Sequence, residues 1–184
     1  DPVADRLKRD LVALIGRPVS GHGEKPVQLS QLGVVTRRDG TLRFDETAFA
    51  AAFKARPERF DALFSDSIAS PTPGVTVSGL PGRRAEAGDY AFRRDPGTGK
   101  VTVGGAETLA LPAGADGTTR YIVLSGQMAG LSITAGADVG DATIRFGRSF
   151  ASSLRTLLDA ATTSGGAISE RETRLNATMT EQTA

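Results

Sequence analysis

Two segments near the ends of the chain carry apolar residues at helical spacing. In residues 3–15 apolar side chains recur three or four positions apart between charged ones, which is typical of an amphipathic helix. The same spacing returns in the segment that begins at Ser149. We expect the two helices to pack together through Leu7, Leu11, Leu14, Leu154, Leu157 and Leu158.

Residues 29–37 are predicted to end in a short strand, and residues 41–44 are the predicted return strand of a short β-hairpin. Asp39-Gly40 is a turn signal, because glycine accepts a positive φ without steric cost. Leu42 lies in the predicted return strand. The sequence therefore predicts that the chain reverses direction at residues 39 and 40.

A helix is predicted directly after this hairpin. Asp45 is placed to cap it, and Phe49 belongs to its apolar face. Pro57 ends the helix and suits the first turn of a further short helix that contains Leu63 and Phe64.

From Pro71 to Phe146 glycine becomes frequent and short apolar runs alternate with turns. Runs of this kind predict a small antiparallel β unit. We expect Tyr90 and Phe92 to face Val101 and Val103, and residues 131–133 to face residues 144–146. The predicted strands are 75–78, 89–92, 100–103, 107–111, 119–124, 131–134 and 143–146.

These elements predict an α+β fold with two parts. Residues 1–70 and 147–184 are expected to form a helical stalk, made of antiparallel helices and a short β-hairpin. Residues 71–146 are expected to be an inserted β-rich subdomain. In the tail, Ile168, Leu175, Met179 and Gln182 lie near heptad spacing, so we expect a coiled coil with a partner helix.

Composition excludes several classes of function. The 22 Lys and Arg residues nearly balance the 21 Asp and Glu residues, and no basic stripe favours nucleic-acid binding. No apolar run has the length of roughly 20 residues that a membrane-spanning helix needs. Cysteine is absent, which excludes thiol catalysis and cysteine-based metal sites.

The sequence holds one weak indication of a metal site. Gly40 and Glu46 have the separation of the glycine and the last glutamate of an EF-hand calcium loop. Val35 and Arg37 would then stand where that loop needs oxygen ligands, so we favour the hairpin. His22 is the single histidine, and no set of catalytic residues is visible around it.

The block LSQLGVVTRRDGTLRFDETAFAAAFKARPERFDALF resembles the signature of the flagellar filament cap family, also called flagellar hook-associated protein 2. The helix before it and the tail from Phe150 resemble the helical stretches of that family. Residues 71–146 depart from the pattern, because they interrupt it. The matching positions are Leu29, Leu32, Gly33, Asp39, Gly40, Leu42, Asp45, Phe49, Pro57, Leu63 and Phe64.

The resemblance implies a structural protein of the bacterial flagellum that caps the filament tip and helps flagellin to fold and insert. The implied partners are flagellin, other cap subunits in a homo-oligomer, and an export chaperone. The resemblance also implies an extracellular location. It implies export through the flagellar secretion channel without a cleaved leader and, in some members, a role in cell adhesion. It implies no enzyme activity, cofactor or metal.

The sequence leads to two further expectations, one about the extent of the protein and one about an alternative function. The chain begins Asp1-Pro2, so we expect it to be a piece of a longer protein. The alternative function is a β-rich adhesin or carbohydrate-binding module, in which the helices are only a scaffold.

Overall fold

The computed structural model describes residues 2–37, 39, 41–111, 114, 117–163 and 172–174. The described residues form two compact units. The first is drawn from Asp1–Pro18, Gln28–Pro57 and Phe150–Ala184, and the second from Val19–Val27 and Glu58–Ser149. We call them the helix–hairpin unit and the sheet unit.

The elements follow one another as the sequence patterns predict, with one added strand and two 3₁₀ turns. The 3₁₀ turns are Leu29–Leu32 and Pro57–Phe60. The helices are α1 (Pro2–Gly16), α2 (Glu46–Ala55), α3 (Asp61–Phe64) and α4 (Phe150–Thr162). The strands are β1 (Val34–Thr36), β2 (Leu42–Phe44), β3 (Ser67–Ala69), β4 (Val75–Ser78), β5 (Gly88–Arg94), β6 (Val101–Val103), β7 (Ala106–Ala110), β8 (Thr118–Val123), β9 (Ser132–Gly136) and β10 (Ala142–Gly147).

The mixed α+β class and the antiparallel sheet are confirmed. In the helix–hairpin unit, α1 contacts α4, as the predicted packing of the two terminal helices requires. The antiparallel direction of these helices and the stalk they were expected to build remain predictions. So does the division into residues 1–70 with 147–184 and residues 71–146.

The predicted hairpin is confirmed in its two strands. Strands β1 and β2 pair antiparallel, with Val34 opposite Phe44 and Thr36 opposite Leu42. Gly40 lies outside the described residues, so its predicted positive φ remains a prediction. The expected coiled coil at Ile168, Leu175 and Met179 also lies outside them.

The sheet unit holds eight antiparallel strands in the order β3, β10, β5, β6, β7, β8, β9, β4. Strands β3 and β4 stand at opposite ends of this order and yet contact each other, so the sheet curls back on itself like a barrel. Sequence patterning had identified all but β3. Its three residues, Ser67–Ala69, are too few to show an alternating pattern.

Two expected pairings need correction. Phe92 lies opposite Val103, as expected, but Tyr90 lies opposite Ile144 on β10 instead of a β6 residue. The expected pairing of residues 131–133 with residues 144–146 is wrong. Strand β9 pairs with β8 and β4, whereas β10 pairs with β5 and β3, because β10 completes the far side of the curled sheet.

Alternation along the strands places the core inside the curl. In β10, Ala142, Ile144 and Phe146 are buried, while Thr143 and Arg145 are partly exposed, as the two-residue period of a strand requires. The largest completely enclosed side chains of the sheet core are Phe92, Phe146, Met128, Leu131, Ile133 and Ile144.

Candidate interaction surface

The turn between α1 and β1 sets the geometry of the hairpin. Gly33 ends the 3₁₀ turn with φ +87°, and its backbone N–H donates to the carbonyls of that turn. The Gly33 carbonyl then accepts a 2.8 Å hydrogen bond from the Asp45 backbone N–H. Leu32, directly before it, is buried. The adjacent Leu32-Gly33 pair therefore anchors the point where the hairpin joins α2.

Asp45 caps α2 as the sequence predicts. Its carboxylate accepts a 3.0 Å hydrogen bond from the Ala48 backbone N–H, which satisfies one of the free donors at the start of the helix. The Arg43 guanidinium lies 3.9 Å from the same carboxylate. Asp45 therefore marks and stabilises the start of α2.

The Asp39 side chain stabilises the turn of the hairpin through hydrogen bonds. Its Oδ1 accepts hydrogen bonds from the Thr41 backbone N–H at 2.9 Å and the Thr41 hydroxyl at 2.6 Å. These bonds hold the pKa of the Asp39 carboxyl below its usual value. Among the residues that the structure describes, no group of three His, Asp or Glu side chains could hold a metal ion.

An apolar row runs from the hairpin onto α2. We define it as Leu42, Phe44, Phe49 and Phe53. Leu42 and Phe44 are two positions apart on β2, so their side chains share one face of the hairpin. The Phe44 and Phe49 ring centroids are 5.1 Å apart, and the Phe49 and Phe53 rings stack at 6.4 Å with an interplanar angle of 6°.

The apolar row is unusually exposed for large hydrophobic side chains. Leu42 and Phe53 each keep 51% of their surface accessible, and Phe44 keeps 53%. Single exposed apolar residues are ordinary, but adjoining ones mark interaction surfaces. The row is therefore the strongest candidate surface in the helix–hairpin unit.

The helix-packing residues form a second apolar surface in the same unit. Leu7, Leu11 and Leu14 on α1 are half-buried, as are Leu154 and Leu157 on α4. Leu158 remains 42% exposed. Contact between α1 and α4 thus covers these stripes only in part.

The sheet unit exposes apolar side chains at separate places. Leu109 on β7 is 51% exposed, and its cross-strand neighbour Ile122 is partly buried. Phe64, at the end of α3, is 74% exposed, while the adjacent Leu63 is buried. The sequence motif therefore combines core residues with surface residues.

The structure distributes the motif residues between the two units. Leu32, Gly33, Asp39, Leu42, Asp45, Phe49 and Pro57 belong to the helix–hairpin unit, and Leu63 and Phe64 to the sheet unit. Phe44 and Phe53 were not among the expected site residues. Their signal was present: position 44 follows 42 by a strand repeat, and position 53 follows 49 by a helix repeat.

The chain matches a model of a known protein family. The model of the family described as flagellar hook-associated protein 2 C-terminus matches residues 3–184. Neither the curated proteins nor the solved structures gave a match. In the described part of the chain, no helix has the length and apolar character needed to cross a membrane.

Proposed function

The chain belongs to the flagellar hook-associated protein 2 family, and from this premise we propose that it caps the flagellar filament and helps flagellin to fold and insert at the tip. Membership of the family implies a role in the flagellar cap and filament assembly, contact with other flagellar components, and a place in the extracellular part of the bacterial flagellum. Flagellin folding, flagellin insertion and export through the flagellar secretion channel are the finer parts of the proposal.

The exposed apolar row is the observation that supports a function based on surface contacts. An assembly protein acts through contacts, and adjoining exposed apolar side chains release water when a partner covers them. Leu42, Phe44 and Phe53 lose about half of their surface in the described chain. The proposed contact with flagellar subunits would bury the remaining half. The proposal includes no catalysed reaction.

A complementation assay tests this function. Cells that lack their cap gene would receive the gene that encodes this chain, either native or as Leu42→Thr/Phe44→Thr. Threonine keeps the β propensity of the strand while it removes apolar surface. We expect the native gene to restore filaments, and the double variant to leave cells that secrete flagellin without building filaments of normal length.

A matched control lies in the sheet unit. Leu109 is as exposed as Leu42 and also lies in a strand, so Leu109→Thr matches the Leu42→Thr half of the double variant at a place outside the apolar row. We expect it to restore filaments. Failure of the native gene would contradict the proposed function, whereas full rescue by the double variant would contradict only the role of the apolar row.

Self-association is a separate part of the proposal. We propose that the complete protein forms a homo-oligomer, as a cap over a multi-subunit filament tip needs. Its mass by light scattering should be a multiple of the subunit mass at micromolar concentration. A monomer at every accessible concentration would contradict this part.

A further inference from the structure

Loop 19–27 closes on itself and lies against the end of the sheet. Val19 and Val27 exchange backbone hydrogen bonds of 2.8 and 2.9 Å. The Ser67 hydroxyl donates to the Gly21 carbonyl at 2.7 Å. Gly21 packs so closely on Gly147 that a Cβ would collide with the Gly147 backbone. The loop is thus held by a few specific contacts, all within the sheet unit.

His22 lies at the centre of this attachment. Its Nε2 atom is buried and has no hydrogen-bond partner among the described residues. The ring also hydrogen-bonds to the backbone of Arg148. A neutral imidazole can leave Nε2 unprotonated, but an imidazolium carries an N–H there. Protonation would therefore create a buried donor without an acceptor, which is costly.

The nearby carboxylates do not remove this cost. Asp66 and Asp61 favour a charged ring, yet the Asp66 carboxylate already accepts a 2.7 Å hydrogen bond from the Ser149 backbone N–H. It also lies 3.8 Å from the guanidinium of Arg148. That guanidinium is itself fixed by hydrogen bonds to the Ala85 carbonyl, the shortest of them 2.7 Å.

The remaining charged groups near the loop stand on its own residues and on β10. Glu24 and Lys25 are exposed loop residues. Arg145 of β10 reaches the Gly23 carbonyl at 3.5 Å, while it pairs with Asp89 of β5 at 2.9 Å. Histidine is the side chain whose ordinary pKa lies in the range between pH 7.5 and 5.5, so we assign a change of loop charge in this range to His22.

We propose that loop 19–27 is a proton-sensitive clasp, which stays closed on the sheet while His22 is neutral and opens when the ring is protonated. Burial lowers the pKa of His22 and outweighs the opposing effects of the Arg148 backbone, Asp66 and Asp61. The open loop binds a proton more readily, since its ring is hydrated. The closed state is therefore fully stable above about pH 6.5 and weakens as pH falls through the ordinary range of histidine.

Hydrogen exchange of the full chain tests the clasp directly. The Val19 and Val27 amides report the closed loop, and the Ile133 amide in the sheet core serves as an internal reference. After correction for intrinsic rates, we expect the protection of Val19 and Val27 to fall at least about threefold between pH 7.5 and 5.5. Ile133 should stay far better protected than both and lose protection by no more than about the same factor, because complete unfolding also releases His22 to water.

Two variants distinguish the effect of His22 from that of another charged residue in the loop. His22→Asn places a neutral amide near Nδ1 and should remove the pH dependence. Glu24→Gln alters another charge of the same loop and should keep it. Loop protection that does not change with pH in the native chain, or that changes equally in His22→Asn, would overturn the proposal.

A direct titration covers the case in which His22→Asn opens the loop at every pH. The chain has one histidine, so its imidazole signals in a proton NMR spectrum need no assignment. We expect a pKa below the ordinary value in the native chain and a normal one in urea. A native value equal to or above the urea value would overturn the clasp.

Discussion

Gly33 shows how one backbone conformation holds the hairpin to its helix. Its φ of +87° is in the left-handed region, and a Cβ there would lie 2.7 Å from the Asp45 carbonyl oxygen and 2.9 Å from the Phe49 backbone nitrogen. Both strain and collision therefore oppose any side chain. The sequence motif contains glycine at this position for a steric reason.

We predict that Gly33→Ala lowers the free energy of unfolding by about 2 kcal/mol, from the left-handed backbone and the collision together. Gly16→Ala is the control, because a Cβ there meets nothing within 4 Å. Urea unfolding followed by circular dichroism measures both. Equal stability of the two variants would show that the turn relaxes without cost.

Asp89 offers a prediction for acid. Its carboxylate takes two hydrogen bonds from Arg145, at 2.9 and 3.2 Å, and these lower its pKa. A depressed carboxyl pKa stabilises the fold above the unfolded value, near 3.8, and this contribution is lost as pH falls through the folded value. Asp89→Asn should therefore be less stable than the native chain at pH 6.

The difference in unfolding free energy between Asp89→Asn and the native chain should shrink as pH falls from 6 to 2.5. Arg145→Gln removes the charged guanidinium instead of the carboxylate, and it should likewise reduce the loss of stability between pH 6 and 2.5. Denaturant unfolding at several pH values measures the difference in unfolding free energy. A constant difference would mean that Asp89 gains nothing from Arg145.

Among the elements, α2 depends on the residue that directly precedes it. Asp45 precedes Glu46–Ala55, and its side chain is the described acceptor for the Ala48 N–H. We predict that Asp45→Ala costs about 1 kcal/mol of unfolding free energy, while Asp45→Ser, which also caps, loses much less. Thermal unfolding compares them. Equal losses would assign the effect to the Arg43 contact instead of the cap.

The strands of the sheet were easier to predict than the pairing between them. All seven strands expected from alternation exist within a few residues of the expected bounds. Their partners were harder to foresee, because each of these buried strands offers the same apolar face to any neighbour. Ile133 and Ile144 are equally suitable in sequence, yet they lie on strands that do not pair.

For the whole molecule, the position of the core leads to a prediction about independent folding. The large buried cluster lies between Val75 and Phe146, and all eight strands find partners within the sheet unit. We predict that residues 58–149 fold by themselves, with cooperative urea unfolding and the circular dichroism of a β protein.

Phe92→Ala in that fragment is the matched test of its core. Phe92 is completely buried and packs edge-on against Tyr121 at 5.7 Å between centroids. We expect the loss of about 3–5 kcal/mol of unfolding free energy. A fragment without a cooperative transition, or one indifferent to Phe92→Ala, would contradict independent folding.

Local periodicity was enough to predict the helices, the hairpin and the α+β class. Helical spacing identified α1 and α4, alternation identified most strands, and Asp45 marked the start of α2. These features depend on residues a few positions apart, whose geometry is set by the backbone itself. The motif around Gly33 and Asp45 likewise identified the family.

Tertiary structure alone decided which residues are near each other over long distances in the chain. It paired Tyr90 with Ile144, added β3, left Leu42 and Phe44 exposed, and enclosed Nε2 of His22 near Asp66. The sequence had offered His22 only as a solitary histidine in a glycine-rich loop. Burial and partners arise from packing between distant segments, which no local pattern records, and they determine where surfaces and charges can act.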